Sequence, residues 1–195
     1  MWEKKLSQKI AKHCRQLGVR QSEAVLAFGL ELIIITAVGI GMIIITSLIL
    51  GHPWLWFPFL AGFVPIRKFA GGFHASTHIR CYIISTLVFL CCALASIYLS
   101  FSNLTLIAIS IITCLIVFVL SPVAANNKPL KKMQRIRNRK ISLLIVSVEA
   151  IVAIGLLMTR RIGETAQILF LGAFAASLSL VIAKVNTIKR REDSL

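Results

Sequence analysis

From Ala24 to Leu50 the chain carries a single charged side chain, Glu31. Lipid leaves no backbone polar group satisfied from outside, so a run this long and this apolar folds as a helix that crosses a bilayer. At about 1.5 Å per residue it exceeds the roughly 30 Å hydrocarbon layer, so it tilts or begins in the interface. Ile79–Leu99, Asn103–Leu120, Ile141–Met158 and Thr165–Val185 repeat the pattern. All are too long and too evenly apolar for barrel strands. The expected fold is therefore an all-α integral membrane protein. Its 195 residues form one domain, with residues 24–185 as the transmembrane bundle and residues 1–20 as an amphipathic segment at the interface.

Gly51–Ile66 is different: apolar, short for a span, and interrupted by Pro53, Pro58 and Pro65. A broken or re-entrant segment is expected there, because non-helical backbone at membrane depth survives where protein buries it. Charge fixes the rest of the topology. Cations between Lys4 and Arg20, and again between Lys128 and Lys140, mark cytoplasmic sides. Two spans lie between Arg80 and Lys128, so the Arg67–Arg80 joint is cytoplasmic as well. An even number of crossings must then separate Arg20 from Arg67, and Gly51–Ile66 is read as one of them. The count is about six transmembrane helices, with both termini inside, twenty cations inside and two outside. This is the pattern of a multi-pass cell-membrane protein.

The net charge of +15, from 22 Lys+Arg against 7 Asp+Glu, is first a topology signal and a set of contacts to anionic lipid. It also suits an acidic peptide substrate at the cytoplasmic face. The cations are not interleaved with stacking aromatics, so no nucleic acid partner is expected. Trp2, Leu6, Ile10, Cys14 and Leu17 recur at helical spacing among lysines, which predicts a basic amphipathic helix in the membrane surface. Of the five cysteines, Cys91, Cys92 and Cys114 sit in apolar runs as small hydrophobes. No disulfide framework or paired metal spacing is present. The first apolar run is too long for a cleavable signal.

The stretch Arg67–Cys81 gathers a thiol, two imidazoles, a glycine pair and three cations. A thiol beside an imidazole is the minimum for covalent cysteine catalysis. If the chain is helical from Thr77, His78 and Cys81 share a face three residues apart. His74 lies two turns, or about 10 Å, from Cys81 along the same axis, and reaches it only if the chain bends. Geometry leaves both histidines open as the base and leans toward His78. It equally allows both to be interfacial, with Cys81 a small buried residue. Arg67, Lys68 and Arg80, with a helix start, would offset the cost of a thiolate near lipid. Backbone N–H groups at Gly71 and Gly72 would suit an oxyanion hole. Glu31 is an interfacial anchor or a substrate contact, and Glu149 demands a buried partner. Asn126, Asn127, Lys128 and Pro129 end the fourth span at the same boundary as His74, either as a helix stop or as substrate contacts. No acid completes a triad. Zinc on His74, His78 and Cys81 is a weaker reading, and neither metal nor cofactor is expected.

Together these residues resemble the accessory gene regulator B family, the membrane cysteine peptidases of Gram-positive bacteria that mature autoinducing peptides for quorum sensing. The family's mark is an arginine, then Ala-Gly-Gly-x-His-Ala, then a cysteine seven residues after the histidine. Here these are Arg67, Ala70-Gly71-Gly72-Phe73-His74-Ala75 and Cys81. Pro122-Val123 and Asn127-Lys128-Pro129 resemble a second family element. The resemblance implies His74 as base, Cys81 as nucleophile and support from Arg67 and Gly72. It implies cleavage in the C-terminal half of a propeptide of the AgrD type, through a thioester acyl-enzyme that closes into a thiolactone or lactone. It also implies a homodimer. The rival classes are a small transporter, which would need polar residues converging at mid-membrane, and a non-enzymatic partner of a sensor kinase, which would tolerate loss of His74 and Cys81.

Overall fold

The structure, a computed structural model, describes residues 2–16, 21–72, 77–99, 101–123, 132–158 and 163–192. Among them are seven helices and no strand: α1 (Trp2–Gln16), α2 (Glu23–Ile49), α3 (Trp56–Ala70), α4 (His78–Tyr98), α5 (Asn103–Leu120), α6 (Lys132–Met158) and α7 (Gly163–Glu192). Among the described residues four stretches are long and apolar enough to cross a membrane: Glu23–Ile49, His78–Tyr98, Asn103–Leu120 and Gly163–Lys189.

The helices start and stop where local chemistry changes. Ser102 caps α5 by accepting the Thr105 N–H at 3.1 Å, satisfying one of the donors a helix start leaves open. Thr77 does the same for α4. The broken segment expected over Gly51–Ile66 is instead a turn to Leu55 followed by an unbroken helix to Ala70. Two facts make this possible. Pro58 falls in the first turn of α3, where its missing N–H costs nothing. Pro65 lies inside the helix, but α3 is held along its length by α7, its most extensive partner. At 15 residues α3 spans only about 22 Å.

α3 and α7 run side by side in the same direction. Their backbones meet at Gly62 and Gly172: a Cβ on Gly62 would strike the Leu169 carbonyl, and one on Gly172 would lie 2.9 Å from the Phe59 carbonyl. Such close approach through small residues is how helices associate where apolar side chains gain nothing by leaving lipid. The core around the contact is aromatic. Phe59 stacks on Phe63 at 5.3 Å between centroids and meets Phe89 of α4 edge-on at 5.1 Å. Leu55, Ile66, Ala93 and Leu180 are fully buried beside them.

α6 begins at Lys132, nine residues before the expected span, so the cations from Lys132 to Lys140 are themselves on the helix. α1 is helical as its periodicity predicts. It packs mainly on α2, burying Glu3, Ser7 and Ala11 and leaving Leu6 and Ile10 exposed. At the opposite end of the bundle, His52 Nδ1 lies 3.2 Å from the Glu164 carboxylate, joining the α2–α3 turn to the start of α7.

Candidate active site

The C-terminal end of α3 and the first turn of α4 carry the candidate site, with Gly71 and Gly72 leading from one toward the other. Both glycines have positive φ, 93° and 153°, where a side chain would be strained. Both are also pressed against other parts of the chain. The Val123 N–H donates to the Ala70 carbonyl at 2.9 Å, and a Cβ on Gly71 would strike the Val123 carbonyl oxygen. A Cβ on Gly72 would lie 2.6 Å from Ser179 Oγ and 3.8 Å from Arg67 Cγ. Thus the segment after α5 and the middle of α7 close on the glycine pair. Ser121 extends the connection to α6, its hydroxyl 2.6 Å from that of Ser142.

Thr77 caps α4, its side chain accepting the Arg80 N–H at 3.4 Å and its carbonyl accepting the Cys81 N–H at 3.2 Å. Cys81 is therefore in the first turn, near the positive end of the helix dipole. It is half-buried and a free thiol. Arg67, one turn before the end of α3, is half-buried and rests over the Phe63 ring, 5.4 Å from its centroid. Burial pulls its guanidinium below the usual range, and the neighbouring Cys81 sulfur opposes that shift. The group nonetheless stays charged. Arg67 and the half-buried Cys81 thus lie within electrostatic reach of each other where α4 begins.

Of the residues predicted for the site, Arg67, Gly71, Gly72 and Cys81 are brought together. His78 is exposed at the first position of α4. Glu31 is half-buried on α2, eight residues before Gly39, and takes no part in the contacts above. His74, Asn127, Lys128 and Pro129 lie outside the described residues. Sequence reasoning passed over Ser179 and Ser142, the hydroxyls that meet the site from α7 and α6. Their signal was slight, since each is a small polar residue within or at the edge of an apolar run.

A family model described as accessory gene regulator B matches residues 3–182. No curated protein and no solved structure matches the chain.

Proposed function

The chain belongs to the accessory gene regulator B family, whose role is processing of the accessory gene regulator autoinducer, and we propose that it does so as a membrane cysteine endopeptidase acting on an AgrD-type propeptide. The observation that carries this reading is the Arg67 guanidinium beside Cys81, in the first turn of α4 and next to the Gly71–Gly72 turn.

In this reading His74 takes the Cys81 proton and the thiolate attacks the scissile carbonyl carbon. His74 returns the proton to the leaving amine nitrogen as the C–N bond breaks. The acidic C-terminal fragment departs and the N-terminal part stays on Cys81 as a thioester. A cysteine thiol or serine hydroxyl within that part then attacks the thioester carbonyl. The ring closes as a thiolactone or lactone and the Cys81 thiol is regenerated. Thioester-for-thioester exchange conserves bond energy, so it needs no ATP, but water must be kept out for cyclisation to beat hydrolysis. Arg67 stabilises the thiolate. Asn127, Lys128 and Pro129 contact the precursor, with Lys128 attracting its acidic tail, and Glu31 anchors α2 at the interface.

The supporting topology has six crossings, α3 and α6 joining the four apolar helices, with both termini and the site cytoplasmic and α1 at the interface. The further partners in this reading are membrane lipids, from the placement of the cations, and a second copy of the chain, which the family implies. Cleavage of precursor by the purified protein in vesicles tests the chemistry. Cys81→Ala abolishes it. Arg67→Gln slows it by about 10- to 100-fold, and Arg67→Lys by less, because the charge is kept while the planar fork is lost. Cleavage unaffected by Cys81→Ala would exclude the proposal.

A further inference from the structure

Glu3 is the sole acid in the first 20 residues, set among Lys4, Lys5, Lys9 and Lys12. The helix dipole favours a carboxylate in the first turn of a helix, but that effect operates at an exposed position too. Glu3 is 3% exposed, whereas the lysines around it face outward. A carboxylate is buried at such cost only for a partner. Its neighbour across the fold is the phenol of Tyr82, the residue after Cys81. Tyr82 is itself 8% exposed and its hydroxyl is wholly buried, with no hydrogen bond of good geometry closed on it. Its ring lies beside Gly39 of α2, where a Cβ would sit 3.8 Å from Cδ1. The first turn of α1, the middle of α2 and the first turns of α4 thus converge at one side chain.

We propose that Glu3 and Tyr82 are positioning residues for Cys81, and that α1 is through them a part of the active site. This rests on the reading of Cys81 as nucleophile. Consecutive residues on a helix point about 100° apart. Whatever holds Tyr82 between α1 and α2 therefore fixes the rotation of α4 about its axis, and with it the direction of the Cys81 sulfur. The Glu3 carboxylate is the acceptor that faces the Tyr82 hydroxyl across the fold. An amphipathic helix that touches only lipid would need no buried acid on its inner face.

The test uses the full chain reconstituted in vesicles with precursor peptide. It measures single-turnover formation of the Cys81 thioester, KM for the precursor and thermal unfolding. Tyr82→Phe and Glu3→Ala each slow thioester formation about tenfold, with KM and melting temperature unchanged. The double variant is no slower than either single one, since both remove one interaction. Glu3→Gln still accepts the hydroxyl and keeps the rate within about threefold of wild type. Unchanged rates, additive losses, or equal losses for Gln and Ala with a lowered melting temperature would overturn the proposal. Cys81→Ala is run alongside: cleavage surviving it refutes the nucleophile reading, whereas its loss with Glu3 and Tyr82 variants at wild-type rates refutes the positioning role alone.

Discussion

A methyl group on Gly72 would be forced against the Ser179 hydroxyl, and one on Gly71 against the backbone carbonyl of Val123. The two positions therefore differ in what can give way. Gly72→Ala slows precursor cleavage, and Ser179→Ala in the same chain restores part of the rate, because the obstructing atom is the end of a small side chain. Gly71→Ala costs about 1–3 kcal/mol in strain alone and has no single-residue remedy, since backbone cannot be trimmed. Turnover and thermal unfolding of the two glycine variants, each with and without Ser179→Ala, check both statements; rescue of Gly71→Ala by Ser179→Ala would contradict them. The glycine pair was legible as a flexible approach to His74. What presses on it was not, because Val123 and Ser179 lie 52 and 107 residues away in the sequence and nothing local marks that contact.

Helices α2, α4, α5 and α7 were legible to within a few residues at their starts, because each is an apolar run opened by a polar turn. The faces they turn inward were less so. In lipid an exposed Leu or Ile loses nothing, so burial falls to small and polar residues. α1 illustrates this with Glu3, Ser7 and Ala11 inside. α3 was misread for a related reason: its prolines are breakers in isolation, yet packing on α7 keeps the helix whole. α6 holds a further consequence. Glu149 faces a cavity of about 10 Å³, room for a single water, shared with Ser110 and Thr113 of α5. Neither of its carboxyl oxygens has a hydrogen-bond partner among the described residues. An unpartnered buried polar group is costly, so Glu149→Leu raises unfolding free energy by about 1–3 kcal/mol. Thermal unfolding in detergent measures this, and a loss of stability would mean that the carboxyl is held by a partner.

For the whole molecule, the proposed orientation rests on where the cations lie, and it is open to direct test. In a chain whose native cysteines have been replaced, Trp54→Cys and Met133→Cys report the two faces, both positions being exposed. An impermeant maleimide labels the first on intact cells and the second only after permeabilisation; the reverse pattern would invert the topology. The fold as a helical bundle was legible because lipid permits so few alternatives; the choice of base was not, since the resemblance proposes His74 while helix geometry leaned toward His78. The central claim is that Cys81 carries the peptide. Intact-protein mass spectrometry of the reconstituted protein with its precursor, run on wild type, Cys81→Ala, His74→Ala and His78→Ala, tests it most directly. The account predicts a hydroxylamine-sensitive adduct with the mass of the precursor's N-terminal fragment, present in wild type and His78→Ala and absent from Cys81→Ala and His74→Ala. Cleaved precursor in the Cys81→Ala sample, or an adduct that disappears with His78→Ala alone, would contradict it.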